Sequence, residues 1–157
     1  MKRLSLPVVA AAGVAVLLLG GCSGQTGPAE QTAPSGQVEL KALDRPATAE
    51  DTLPAMVRLP EDVNVETTRL LVTHEGVQYF VTESDDSTKA CLAVVPVGGN
   101  DGWITGCNGG NNNGEIIMVW GHEGAVPTKL VADGFDSGTL ESSGWIKIAD
   151  NILVSDL

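Results

Sequence analysis

Apolar and polar residues alternate in short runs along the C-terminal two-thirds of this chain, a pattern typical of half-buried β-strands. Residues 70–74 and 77–82 form two such runs, and a Glu-Gly pair separates them at positions 75 and 76. A two-residue connection that contains glycine predicts a tight β-hairpin. Pairing about this turn places Leu70 opposite Val81.

Further short apolar runs follow, separated by Gly, Asn and Asp residues. They cover residues 89–97, 102–107, 115–120, 126–132, 145–149 and 152–155. Short runs at this spacing predict a mainly β fold, arranged as a small antiparallel meander, a sandwich or a barrel. A helix over residues 127–133 is the main competing local prediction.

The N-terminus has the pattern of an export signal. Lys2 and Arg3 precede an apolar stretch over residues 6–19, which ends in Leu-Gly-Gly-Cys at Cys22. The stretch is shorter than the roughly 20 residues that a transmembrane helix needs, and small residues precede the expected cleavage site. This combination indicates a secretory signal peptide.

The Leu-Gly-Gly-Cys sequence that ends at Cys22 resembles the lipobox of bacterial lipoproteins. The resemblance implies cleavage between Gly21 and Cys22, a diacylglyceryl group on the Cys22 thiol, and anchoring at the extracytoplasmic face of the cell membrane. An ordinary signal peptide cleaved nearby is the alternative. The segments GVQYFVTES, ACLAVV and GWITGC are similar to parts of small uncharacterised lipoproteins from high-GC Gram-positive bacteria, which implies no particular activity.

Three parts follow along the chain: a lipoprotein signal peptide over residues 1–21, a linker over residues 22–52, and a β-rich extracytoplasmic domain over residues 53–157. The second part is rich in Ser, Thr, Gly, Pro, Ala and Gln and has no aromatic residue. Such a composition buries too little apolar surface to offset its ordering entropy, so we expect a flexible linker. Within it, residues 38–40 could form a short element.

The net charge of the chain limits the classes of partner that we expect it to bind. Nine Lys and Arg residues stand against 20 Asp and Glu in 157 residues, a formal net charge of -11. Removal of residues 1–21 takes away Lys2 and Arg3 and no acid, which leaves 7 basic and 20 acidic residues and a charge of -13. This acidity argues against binding to nucleic acid or to anionic lipid. We expect attachment to the membrane only through the lipid on Cys22, and an envelope protein or cell-wall component as partner.

If Cys22 carries lipid, Cys91 and Cys107 remain as a pair. A three-residue turn over residues 98–100 would set two antiparallel strands in a register that places Cys91 directly opposite Cys107. Residues opposed in this way can lie within the Cα separation of a disulfide. We predict a disulfide between them that stabilises the fold by about 3 kcal/mol. A redox or metal-binding pair is the alternative, but the C-x-x-C spacing is missing.

Candidate catalytic residues are few. His74 and His122 are the two histidines, and the sequence has no G-x-S-x-G or H-E-x-x-H motif. We therefore assign no catalytic residue, cofactor or metal and expect a non-catalytic binding module. A small extracytoplasmic hydrolase that uses His74 or His122 as its base is the less favoured alternative.

The tryptophans offer a candidate binding surface, since one indole buries a large area at a low cost in side-chain entropy. Trp120 comes directly before a Gly-rich loop that contains His122, and we expect it to be the most exposed of the three. We expect Trp103 and Trp145 to lie in the core, and a core position is also the favoured interpretation of Trp120. Trp120 and His122 are therefore candidate binding residues.

An oxygen-rich segment over residues 108–115 is the second candidate site. Its side chains could supply oxygen ligands to Ca²⁺ or to a small molecule. The candidate residues are Asn108, Asn111, Asn113 and Glu115. The spacing does not fit an EF-hand loop, and only one full carboxylate is present. The alternative is a long hairpin connection in which Asn and Gly serve positive φ angles.

Overall fold

The computed structural model describes residues 38–98, 102–109, 113–121 and 126–156. Within these ranges the protein is mainly β, as predicted, and the strands have the following bounds. They are β1 (Asn64–His74), β2 (Val77–Glu83), β3 (Lys89–Pro96), β4 (Ile104–Gly109), β5 (Glu115–Val119), β6 (Thr128–Val131), β7 (Trp145–Ala149) and β8 (Ile152–Ser155). The one α-helix in the described ranges, α1 (Gly138–Glu141), is a single turn, and 3₁₀ turns occupy Lys41–Leu43 and Ala49–Asp51.

Some predictions fall outside the described residues. These are the signal peptide, the lipid-bearing Cys22, and the candidate binding residues Asn111 and His122. No helix in the described part of the chain is both long enough and apolar enough to cross a membrane.

The eight strands form two antiparallel sheets of four strands each. The first sheet has the order β1-β2-β3-β4, and the second has the order β5-β6-β8-β7. Strand β6 pairs with both β5 and β8, so the prediction of a helix over residues 127–133 is wrong. All four residues of β6 are buried, which is typical of a central strand.

The first hairpin forms at the predicted turn, where Glu75 and Gly76 adopt positive φ angles of 49° and 77°. The predicted pairing of Leu70 with Val81 is wrong, because Leu70 lies opposite Phe80. A β-bulge between Leu70 and Val72 inserts one extra residue into β1 and shifts the register beyond it.

The main core lies between the two sheets. Leu92 from the first sheet and Leu130 and Ile152 from the second are fully buried there. The sheets approach closely at Gly106 in β4, where an added Cβ would lie 2.5 Å from Val119 Cγ1. A glycine is therefore required at this contact, since any side chain would force the two sheets apart.

A second, smaller apolar cluster lies on the other face of the first sheet. Phe80, Ala93 and Val95 point to this outer face, and Val57 packs on them from outside the sheet. Val57 belongs to residues 45–58, which we call the covering segment. Leu53 and Met56 of the covering segment also pack against this cluster.

The domain begins earlier in the chain than residue 53, where the sequence places its start. Val38 and Leu40 are 7% and 4% exposed and belong to the core between the sheets. Residues 38–52 are therefore part of the domain and not of a flexible linker. The two buried residues are separated by one exposed residue, a strand-like alternation too short to stand out within the polar composition around it.

Asp51 fastens the covering segment to the edge strand β1. Its carboxylate accepts hydrogen bonds from Arg45 Nη1 and Nη2 at 2.7 and 2.6 Å and from the Leu70 backbone N at 2.7 Å. The Thr48 backbone N and Oγ1 also donate to it, at 2.7 and 2.9 Å. The Arg45 guanidinium is the main reason that the pKa of Asp51 lies far below its usual range.

The predicted disulfide between Cys91 and Cys107 is present. The two residues lie directly opposite each other in the β3–β4 ladder, with their Cα atoms 4.0 Å apart. Cys91 is 1% exposed, and it alternates along β3 with Leu92, which faces the main core. The disulfide therefore lies on the outer face of the first sheet, on the same side as the covering segment.

Candidate functional site

The outer face of the second sheet carries exposed apolar side chains at its β5 edge. Along this strand Val119 is buried, whereas Met118 and Trp120 on either side of it are 42% and 66% exposed. Because successive residues of a strand point to opposite faces, Met118 and Trp120 point away from the core. Trp120 is the most exposed of the three tryptophans, as expected, and the interpretation that it lies in the core is wrong.

Val126 lies at the same end of the sheet. Strand β6 begins with Thr128 opposite Val119, and Val126 leads into it with 43% of its surface exposed. We call Met118 and Trp120 the Trp120 surface. Monomeric proteins expose single apolar residues routinely, but a group that includes Trp and Met is typical of interaction sites.

A row of residues extends from the Trp120 surface across the second sheet. Met118 lies opposite Lys129, Lys129 lies opposite Leu153, and Leu153 lies opposite Lys147. Opposed residues share a face of a sheet, so both lysines lie on the outer face with Met118. This face therefore combines apolar and cationic groups in a protein of net charge -11.

Lys129 is held in place by two neighbours. Its Nζ lies 2.5 Å from Glu115 Oε2 and 4.9 Å from the centre of the Trp145 ring. Only 9% of Lys129 is exposed, so its aliphatic part covers the sheet beneath it. The ammonium group pairs with Glu115. Lys147 is the more accessible lysine of the row, and its Nζ lies 3.9 Å from Asp150 Oδ1.

Trp145 and Trp103 differ from the prediction that both lie in the core. Trp145 is half-buried beside Lys129 on the outer face of the second sheet, away from the main core. Trp103 is also half-buried, and it packs against the Phe80 cluster on the outer face of the first sheet. The alternation of apolar and polar residues does not reveal that both sheets have an outer face that accepts a large side chain.

The described residues of the oxygen-rich segment are engaged in holding the fold. Asn108 Nδ2 donates a hydrogen bond of 2.8 Å to the Ile116 carbonyl, which links the edge of the first sheet to that of the second. Asn113 has a φ of 59°, in the left-handed region that Asn tolerates, and Glu115 pairs with Lys129. In the described ranges no group of three or more His, Cys, Asp or Glu residues is arranged to hold a metal ion.

His74 ends β1 next to the Glu75-Gly76 turn and is half-buried. It lies in the first sheet, whereas Trp120 follows β5 in the second. His74 and Trp120 are therefore associated with different sheets.

A cavity of about 480 Å³ opens at the end of the molecule where the described chain begins. Its lining includes Val38, Leu40, Leu43, Asp44, Glu83 and Asp133. Burial is the main cause that raises the pKa of Glu83, and the Asp44 carboxylate adds to the effect. Asp133 is used structurally, since its carboxylate accepts hydrogen bonds from the Lys41 backbone N and from Asn151 Nδ2 at 2.6 and 3.0 Å.

The acidic turn between β2 and β3 is likewise organised by its own hydrogen bonds. Asp86 accepts bonds from Ser84 Oγ and Thr88 Oγ1, both at 2.7 Å, and these donors lower its pKa to about 2. Asp85 accepts a bond of 2.7 Å from Asn64 Nδ2. The carboxylates of this turn thus have partners within the domain.

Sequence reasoning found Trp120 but missed Met118 and the two lysines. A usable signal was present, because Met118 and Trp120 stand two positions apart around Val119 in a predicted strand. Neither models of known protein families, nor curated protein sequences, nor solved structures match this chain. The candidate site therefore rests on the geometry of the described residues alone.

Proposed function

We propose that this protein is a lipid-anchored extracytoplasmic binding module that captures an envelope protein or cell-wall component through the Trp120 surface. The observation that carries the proposal is the exposure of Trp120, 66%, beside Met118 at 42%. Met118 lies in β5 opposite Lys129 of β6, and Trp120 directly follows the last residue of β5. An exposed indole is a typical anchor of a protein interface.

The anchor rests on the lipobox that ends at Cys22. Each acyl methylene buried in the bilayer contributes about 0.8 kcal/mol, and stable attachment takes two chains, which a diacylglyceryl group supplies. The mature charge of -13, from 7 basic and 20 acidic residues, repels an anionic membrane surface. The lipid holds the protein at the membrane while the acidic domain stays clear of the headgroups.

The position of the Trp120 surface suits a tethered module. The described chain enters the domain at Val38, whose backbone N donates to the Ser87 carbonyl in the β2–β3 turn. Strand β5 starts at this same end, since Asp133 bonds to Glu39 and Ala132 to Gly114. Trp120 follows the other end of β5, about 17 Å further along five residues of strand. The surface is therefore distant from the point where the predicted linker joins.

The test is cross-linking in intact cells, with purification through a C-terminal tag and identification of the cross-linked species. We expect an abundant partner that is captured with native Cys22 and lost with Cys22→Ala, because the altered chain is no longer held at the membrane. We expect Trp120→Ala to lose the same partner while the protein remains membrane-attached.

Val65→Ala is the matched control, since Val65 is 61% exposed but lies on β1 in the other sheet. It should capture the partner as the native chain does. Equal capture by the Trp120→Ala and native chains would show that the Trp120 surface does not bind the partner. A protein that is released from membranes with Cys22 intact would contradict the anchor.

A further inference from the structure

The two methionines beyond the predicted signal peptide have contrasting surroundings. Met118 is 42% exposed on the Trp120 surface. Met56 lies in the covering segment, is half-buried, and packs against the Phe80 cluster. Met1 is the third methionine of the sequence and belongs to the predicted signal peptide. An oxidant in solution therefore reaches the Met118 sulfur much more readily than that of Met56.

We propose that Met118 is a reversible oxidation site that regulates the Trp120 surface, an inference that rests on the proposed binding function. The oxidant is a peroxide, which transfers one oxygen atom to the Met118 sulfur. The O–O bond breaks and an S–O bond forms, so the thioether is oxidised by two electrons to a sulfoxide while hydrogen peroxide is reduced to water. A dithiol-dependent sulfoxide reductase reverses the change, and its dithiol becomes a disulfide as water is released.

The sulfoxide changes the chemistry of the surface at its centre. Met118 lies two residues from Trp120 along one face and directly opposite Lys129 on the next strand. A methionine side chain is flexible and apolar and adapts its shape to a partner, whereas its sulfoxide is polar and a strong hydrogen-bond acceptor. A partner that covers Trp120 would have to desolvate this group, so oxidation weakens binding.

The effect is local because Met118 is not part of the core. Val119 next to it is buried between the sheets, while Met118 points to solvent. Oxidation of Met118 should therefore leave the fold intact, and the release of the partner should not result from unfolding. Oxidation of Met56 would instead disturb the contact between the covering segment and the first sheet.

The first measurement locates the modification. The full chain is treated with hydrogen peroxide for increasing times, digested and analysed by mass spectrometry. We expect the Met118 peptide to gain one oxygen, about 16 Da, several-fold faster than the Met56 peptide. In denaturant the two rates should become similar. Equal rates in the folded protein, or faster oxidation of Met56, would overturn the assignment.

The second measurement links the modification to binding. Cells are cross-linked before and after brief peroxide treatment, with the native chain and with Met118→Leu, which keeps an apolar side chain but cannot be oxidised. We expect peroxide to reduce capture by the native chain several-fold and to leave capture by Met118→Leu unchanged.

The outcomes separate the two proposals. An unchanged yield from an oxidised native chain would overturn the regulation while leaving the binding function in place. An equal loss with Met118→Leu would assign the effect to another oxidised group. If untreated cells yield no species that depends on Trp120, the proposed function fails and regulation of it fails too, but the peptide masses still decide where the chain is oxidised.

Discussion

The outer faces of the two sheets differ in how far other parts of the chain cover them. On the first sheet the covering segment packs Val57 onto Phe80, and Asp51 ties this segment to β1 through the Leu70 backbone. On the second sheet, at the β5 edge, Met118 and Trp120 face solvent. The first outer face is closed by chain from the same domain. The second is buried at its centre, where Leu153 is 0% and Lys129 9% exposed, and is open only at the β5 edge, which we call the open face.

This difference separates residues that stabilise the protein from residues that are free to bind. Phe80 is 1% exposed and Trp120 is 66% exposed, although both are aromatic residues that point away from the main core. The chain covers one outer face with its own residues and leaves a tryptophan exposed to water on the other. The open face is therefore the better candidate for an interaction surface, and four predictions test whether the distinction is real.

The largest expected effect comes from truncating an aromatic side chain on the covered face. Phe80→Ala should lower the free energy of unfolding by about 3–5 kcal/mol, because it removes a fully buried ring and leaves a cavity. Trp120→Ala should change it by less than about 0.5 kcal/mol, since the indole is exposed. Urea unfolding followed by circular dichroism measures both without depending on tryptophan fluorescence.

Phe80→Leu provides a milder variant in case Phe80→Ala does not fold. It should be destabilised less than Phe80→Ala and still more than Trp120→Ala. A loss of stability with Trp120→Ala similar to that of Phe80→Leu would show that the indole is structural, and the contrast between the two faces would disappear.

The disulfide should give the next largest effect on the covered side. Replacing both Cys91 and Cys107 with Ser should cost about 3 kcal/mol, the contribution expected for a loop of this length. The sequence separation of the two residues is 16. Cys22 stays unchanged in this variant, so that attachment is unaffected. Because the bridge lies in the first sheet, capture of a partner by the folded double variant should equal that of the native chain.

A single replacement at either position is not an equivalent experiment, because it leaves a free thiol that can form mixed disulfides. A double variant as stable as the native protein would show that the bridge adds nothing to the fold. A stable double variant that no longer captures the partner would place the first sheet in the binding site.

Sequence patterns succeeded where the structure depends on local periodicity. Alternation located seven of the eight strands to within two residues, whereas β1 begins six residues before the predicted run. The turn length alone placed Cys91 opposite Cys107. Register failed at Leu70 because a bulge inserts a residue that no alternation pattern marks. The covering segment was missed because it is fastened by one carboxylate, that of Asp51, and by scattered apolar residues without a period.

The candidate site was predictable only in part, for a related reason. The place of Trp120 at the end of a strand beside a glycine-rich loop indicated that it is the most exposed of the three tryptophans, but not that it lies outside the core. Trp145 has a similar local context but lies half-buried beside Lys129. Which outer face of a sheet is covered depends on distant segments of the chain, so local sequence cannot distinguish a covered residue from an open one.

The third prediction concerns the carboxylate that fastens the covering segment. Asp51→Asn should lower the free energy of unfolding by about 1.5–3 kcal/mol, since Asn offers one acceptor oxygen and no charge to donors from Arg45, Thr48 and Leu70. Glu50→Gln is the matched control, because Glu50 is the exposed neighbour in the same 3₁₀ turn and should have little effect. Chemical unfolding at neutral pH measures both variants.

The pH dependence of stability provides an independent check on Asp51. Its pKa is lowered in the folded protein, so the contribution is fully present above the usual Asp pKa of about 4 and is lost as pH falls below it. The native protein should lose stability between about pH 4 and 2 more steeply than Asp51→Asn. Parallel profiles for the two proteins would mean that Asp51 does not hold the covering segment.

The smallest expected effect is that of the corresponding carboxylate on the open face. Glu115 pairs with Lys129, but 42% of the Glu115 side chain is exposed, against 2% for Asp51. Water reaches the Glu115 carboxylate and screens its interaction with Lys129, so Glu115→Gln should cost only about 0.2–1 kcal/mol, and added salt should reduce the difference further. Unfolding curves at low and high salt measure it. The contrary result is a salt-insensitive loss as large as that of Asp51→Asn. It would mean that Glu115 and Lys129 stabilise the second sheet as strongly as Asp51 stabilises the covering segment, and the contrast between the two outer faces would disappear.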